Sequence, residues 1–286
     1  MRILVFGAGA VGQAVGCILA ADGHNVDLIV RERFTETLRA HGLAVTGIFG
    51  DYKVESENIG VYSDITDVIR NRYDYVLITT KSYDTGAAVT ELEKISSQNF
   101  TIVSMQNGCG NLETIIGRFR EARSLGARII TGFEIESPCL VRITVSADDI
   151  HIGGFKEGAI PTTVPPIVEA INNAGLPCVT TLFIKRDLFA KLLYNCALNP
   201  LGAALGVHYG ALGDDPDTRE IMNITIREVF AVIEAMGGKT HWDHAEEYQT
   251  FFYEKQIPAT YNHRPSMLQD LEMGKRTEVE ALTAYV

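Results

Sequence analysis

Two sets of residues in this chain have the types and spacing to do chemistry. The first is "GAGAVG" near the N-terminus, with Gly7, Gly9 and Gly12 in G-x-G-x-x-G spacing and Ala8, Ala10 and Val11 between them. A short apolar strand, Ile3 to Phe6, precedes it, and a helical pattern ending at Gly23 follows. In that context the first glycine permits a tight turn, the second lets backbone approach a pyrophosphate, and the third lets helix pack on strand. The helix N-terminus offers free N–H groups and a positive dipole end to phosphates. The second set is the row Lys191, Asn195 and Asn199 in "DLFAKLLYNCALNPLGAAL". Four residues advance a helix by about 400°, so the three form one slowly winding polar stripe. Phe189, Leu192, Leu193, Cys196 and Leu198 leave little of that helix for water. A structural account of the row also exists. Lysine can snorkel to solvent, and Asn199 can end the helix before Pro200.

Further polar groups fall where strands end. "TTKSYDT" and "SMQNGCGN" follow apolar strands at Asp74–Thr80 and Phe100–Gln106. Ligands of doubly wound sheets lie outside the carboxyl ends of the strands, so Lys81 and Asn107 are placed to meet one. Lys81 as surface charge and Asn107-Gly108 as a turn are the alternatives. An NAD site usually has an acid at the tip of the second strand. Here Arg31 follows Val30 directly, and a guanidinium suits the 2′-phosphate of NADP. Glu32 is adjacent, and a one-residue shift in register points to NAD instead.

The elements that must position these groups divide the chain. Val26, Leu28 and Val30 alternate as a second strand, completing a βαβ opening. Thr85–Ile95 has helical spacing, several strands run between 128 and 153, Val164–Ala174 is helical, and "PCVTTLF" is a last strand. After Phe183 the patterns are helical: 186–204, 216–236, 241–256 and 266–285. The expected architecture is α/β, a Rossmann-type doubly wound domain over residues 1–183 followed by an all-α domain over 184–286.

The 286 residues, 46% of them hydrophobic, are enough to bury a large core. A net charge of −11 argues against nucleic acid or an anionic membrane as partner. No apolar run is long enough to span a bilayer. The start, "MRILVFGAGAVGQAVGCILAADG", has the look of a weak secretory signal, but its glycine spacing fits a dinucleotide loop better. Five scattered cysteines fit reduced thiols in the cytoplasm, and no Cys/His cluster points to a metal. His241 and His244 read as a solvated helix start. The apolar helices of the second half could pair in a homodimer.

The glycine loop, "VLITTKSYDT", "MQNGCGN", "KLLYNCALNPLGAALG" and "PSMLQDLEMGKRTEVE" occur in that order at fitting intervals. This resembles the ketopantoate reductase (2-dehydropantoate 2-reductase) family over essentially the whole chain. The resemblance implies a Rossmann domain, a helical domain, and a cleft holding NADPH and a 2-oxo acid. By position it implies that Lys191 is the catalytic proton donor and that Asn195, Asn199 and Ser266 hold substrate. Asn107 then lies between cofactor and substrate, Lys81 on the cofactor side, and Glu278 completes the active site. These types suit the chemistry: an ammonium meets the charge that builds on a ketone oxygen, and amides grip oxygens without adding charge.

Four features cut across the resemblance. Ser266 and Glu278 would lie about 18 Å apart on one straight helix, so that helix must break, near Gly274, or Glu278 must serve the cofactor side. S-x-x-Q at Ser266–Gln269 is also a capping box in its own right. Tyr209 precedes Gly210 where many members have an Asn-Gly pair. "ESPCLV" also lacks the glycine common after the family's middle strands. These departures keep open a different 2-oxo acid as substrate. A non-catalytic NADP-binding regulator is the rival of another class.

Overall fold

The computed structural model describes residues 1–286, which divide into two compact units. The first comprises 1–106, 111–144 and 148–184. The second comprises 107–110, 145–147 and 185–286.

The first unit is built on an eight-stranded sheet of order β12-β11-β8-β7-β6-β1-β2-β5. Its strands are β1 (Arg2–Phe6), β2 (Asn25–Ile29), β5 (Gly60–Tyr62), β6 (Tyr75–Ile78), β7 (Thr101–Ser104), β8 (Ser124–Arg128), β11 (Ile150–Gly154) and β12 (Cys178–Thr180). All neighbours pair in parallel except β8 with β11. The central strands β6 and β7 are buried along their whole length, as strands covered on both faces must be. Helices α1 (Ala10–Ala21), α2 (Glu32–His41), α3 (Thr85–Glu93), α4 (Asn111–Phe119) and α5 (Val164–Asn173) belong to this unit. A second sheet, ordered β4-β3-β10-β9, comprises β3 (Leu43–Gly47), β4 (Tyr52–Val54), β9 (Thr131–Ser137) and β10 (Leu140–Ser146). Strands β9 and β10 fall among those expected between 128 and 153, whereas β3, β4 and helices α2 and α4 were not expected from the sequence.

The second unit is helical. It comprises α6 (Ile184–Leu205), α7 (Tyr209–Asp214), α8 (Pro216–Ala235), α9 (Ala245–Phe251), α10 (Ile257–Ala259) and α11 (Ser266–Glu272). A π-helical segment, Phe252–Gln256, joins α9 to α10. Residues 192–199 of α6 are buried on every side, and Leu192, Leu193, Leu198, Ile226, Phe230, Tyr248 and Phe252 share one core. No helix is long and apolar enough to cross a membrane.

Helix α6, expected over 186–204, spans Ile184–Leu205 and runs through Pro200, so Asn199 does not end it. Two local expectations are corrected. The last helix is not continuous from 266 to 285. It stops at Glu272, Gly274 takes a left-handed φ of +61°, and a 3₁₀ turn forms at Val279–Ala281. His241 is not a solvated helix start, since α9 begins at Ala245 and the His241 ring bonds the buried Asp187 carboxylate at 2.7 Å.

Candidate active site

In the first unit, each glycine of the loop has a separate reason to be glycine. Gly7 has φ +114°, and a Cβ there would lie 2.9 Å from the Thr80 backbone N. At Gly12 a Cβ would lie 2.0 Å from the Gly7 carbonyl oxygen, so helix and loop pack only without one. At Gly9 the nearest atom to an added Cβ is 4.0 Å away, which leaves the backbone open to an approaching group. Gly9 caps α1, no side chain fills that cap, and the first turn carries no acid. These features fit a pyrophosphate on the helix N-terminus. Two side chains that the motif does not name hold the loop. The Thr79 hydroxyl donates to Gly7 O at 2.7 Å, and Gln13 Nε2 donates to Ala8 O at 2.9 Å. Ala8, Ala10 and Val11 are half-buried and pack on the sheet's core.

Strands β2 and β6 flank β1, so all three carboxyl ends lie side by side. Past β2, Arg31 caps α2 and Glu32 is the first helical residue. The Arg31 guanidinium donates to Asp84 at 3.0 Å. Past β6, Lys81 precedes the 3₁₀ turn Ser82–Asp84. The buried Gln106 braces that turn, donating to Thr80 O at 3.1 Å and to the Thr85 hydroxyl at 2.8 Å. Asp84 and Gln106 lay unread in the sequence motifs. Gln106 stands two residues past the end of β7, a signal that could have found it, whereas Asp84 lies in the turn before α3.

In the second unit, Lys191 Nζ donates to Asn107 Oδ1 at 2.6 Å. Asn107 Nδ2 in turn donates a long hydrogen bond, 3.5 Å, to Glu278 Oε2. Glu278 is buried at the start of the turn that follows the Gly274 break. The chain bend therefore delivers the carboxylate to Asn107, and Cys109 N donates to Ala281 O at 3.2 Å to close the same corner. Gly108 must be glycine here, with φ +80° and an added Cβ only 2.4 Å from Ala281 O.

The two lower amides behave differently from each other. Asn199 Nδ2 donates to Asn195 Oδ1 at 3.1 Å. Asn199 Oδ1 accepts from the Ser266 hydroxyl at 3.2 Å and from Met267 N at 3.4 Å. Asn199 thus ties α11 to α6 with both ends of its amide, whereas Asn195 uses its oxygen. Ser266 does not cap α11. It is the first helical residue, Pro265 occupies the cap, and its hydroxyl goes to Asn199. Tyr209 is fully buried, edge-on to Tyr194 at 5.6 Å and against the His263 ring at 5.2 Å. Burial holds the His263 imidazole down to about 4, and its Nδ1 has no hydrogen-bond partner.

The glycine loop of the first unit is open in the way a dinucleotide requires, and the helical unit carries an ammonium, an amide and a carboxylate in series. Comparison with known proteins narrows this. A model described as "Ketopantoate reductase PanE/ApbA" matches residues 3–157, and its C-terminal counterpart matches 184–286. The chain belongs to the ketopantoate reductase family. A 2-dehydropantoate 2-reductase of Aquifex aeolicus is 35% identical over 100% of this chain and 89% of its own. One from Pyrococcus horikoshii is 31% identical with the same coverage, 100% and 89%. A crystal structure of a PanE/ApbA family ketopantoate reductase from Ralstonia eutropha JMP134 has TM-score 0.83 and 27% identity, covering 100% of this chain and 90% of that one. A ternary structure of D-mandelate dehydrogenase with NADH and anilino(oxo)acetate reaches TM-score 0.87 at 19% identity, over 100% and 90% of the two chains, and shows a shared fold alone.

Proposed function

We propose that this protein reduces ketopantoate to pantoate with NADPH, as a cytoplasmic step of pantothenate synthesis. The observation that carries the reading is the 2.6 Å hydrogen bond from Lys191 to Asn107, with Glu278 behind it. NADPH, when bound, supplies the hydride that reaches the ketone carbon. Gly7, Gly9 and Gly12, with the backbone of Ala8, Ala10 and Val11, hold its pyrophosphate, Arg31 meets the 2′-phosphate, and Lys81 lies on the cofactor side.

Negative charge then builds on the substrate's ketone oxygen, and Lys191 stabilises it and delivers the proton that completes the alcohol. Asn107 fixes the ammonium in direction, since a lysine on four rotatable bonds otherwise samples many positions. Glu278 supports Asn107 and balances the ammonium charge. Asn195 presents an amide nitrogen to the substrate's oxygens. Asn199 and Ser266 shape the same wall and are the remaining substrate contacts.

A second reading keeps the machinery and changes the substrate. Tyr209 is large and fully buried where many family members carry asparagine, which favours a different 2-oxo acid. Initial rates of NADPH oxidation with ketopantoate beside near analogues test both. Ketopantoate should give the highest kcat/KM by tenfold or so, the margin of one or two substrate methyls in a fitted pocket. A higher value for another 2-oxo acid would establish the second reading, and no oxidation with any would leave a dinucleotide-binding regulator.

A further inference from the structure

The acid that reads the ribose 2′-hydroxyl in an NAD site normally stands at the tip of the second strand. In this chain Arg31 occupies that tip, and a carboxylate arrives from elsewhere. Asp84 lies on the loop after β6, two strands away, and its Oδ2 accepts from Arg31 Nη2 at 3.0 Å. Because β1 runs between β2 and β6, this ion pair spans the end of β1, where the glycine loop begins. Both side chains are open to solvent, Arg31 at 62% and Asp84 at 37%.

Ordinary structural roles do not account for the pair. Asp84 sits at the cap position of α3, where an aspartate usually accepts from the helix's own N–H groups, yet its side chain makes no such bond. Arg31 sits at the cap of α2, where the helix dipole disfavours a cation. Neither residue helps its own helix, and each is turned to the other.

We propose that Asp84 is a cofactor-specificity residue, supplying from the β6 loop the carboxylate that NAD sites place on the second strand. It accepts the ribose 2′-hydroxyl of NAD. It also competes with the 2′-phosphate of NADP for Arg31 and repels it, so the preference for NADP is held below what a lone arginine gives. The proposal rests on the dinucleotide site described above, but not on the substrate or on Lys191.

Isothermal titration of the full chain with NADP⁺, NAD⁺ and 2′,5′-ADP, without substrate, tests it. Asp84→Asn should tighten NADP⁺ and 2′,5′-ADP about fivefold, the scale of one exposed charge pair, and weaken NAD⁺ by a similar factor. Asp84→Glu, which keeps the carboxylate, should stay near the parent ratio. Arg31→Ala should reverse the preference. An unchanged NADP⁺/NAD⁺ ratio in Asp84→Asn, with thermal stability intact, would overturn the proposal. Failure to bind either dinucleotide would overturn it together with the cofactor reading. Failure to turn over ketopantoate would overturn only the reading of the substrate.

Discussion

Lys191 Nζ and Asn107 Oδ1 lie 2.6 Å apart although 84 residues separate them in the chain. Asn107 is the better probe of positioning, because it neither carries nor accepts the transferred proton. Asn107→Ala should lower kcat by about 10²-fold, the cost of a misplaced acid, with a smaller change in KM. Steady-state kinetics check this, and a change confined to KM would contradict the positioning role.

The amide pair on α6 separates stability from binding. Asn199 accepts from Ser266 and Met267 and donates to Asn195, all in a buried corner. Asn199→Leu leaves those groups unpaired and should destabilise the fold by about 2 kcal/mol in chemical denaturation. Asn195→Ala removes only one of those three hydrogen bonds and should cost less, about 1 kcal/mol, while raising KM for the oxo acid. Equal effects of the two changes on stability would remove the distinction.

His263 gives the helical unit a pH dependence. Its folded value, about 4, lies below its ordinary 6.5, so the unfolded chain binds the proton first. Stability from this group is present above pH 6.5 and is lost as pH falls from 6.5 toward 4, by at most about 3 kcal/mol. Denaturant midpoints of wild type should fall through that window. His263→Asn should flatten the fall, and an unchanged slope would show that the imidazole is not the titrating group.

The glycine loop predicts a contrast between two alanines. Gly12→Ala places a Cβ 2.0 Å from Gly7 O, so the loop must distort and the melting temperature should drop. Gly9→Ala meets nothing nearer than 4.0 Å, so the protein should fold normally and lose dinucleotide affinity. Matching melting curves for the two variants would contradict the packing role of Gly12.

The βαβ opening was legible from its G-x-G-x-x-G spacing between two apolar strands, and the fully buried β6 from its unbroken apolar run. The second sheet was legible only in part: β9 and β10 fall within the strands read between 128 and 153, whereas β3 and β4 were not read, β4 having only three residues. Around α6, spacing alone revealed the polar stripe, and the family pattern singled out Glu278. That Asn199 is tied to Ser266 depends on where α11 lands, which no local signal carries. The break at Gly274 was legible as a requirement: a carboxylate twelve residues beyond Ser266 cannot return to α6 along a straight helix. Asp84 escaped because an aspartate before a helix reads as a cap, and only the fold shows its side chain turned to Arg31.

The central claim, that Lys191 supplies the proton to the reduced ketone, is tested most directly by Lys191→Ala. Single-turnover and steady-state rates with NADPH and ketopantoate should fall by about 10³-fold or more, while the dissociation constant for NADPH changes less than about threefold. Turnover within a factor of two of wild type would contradict the account.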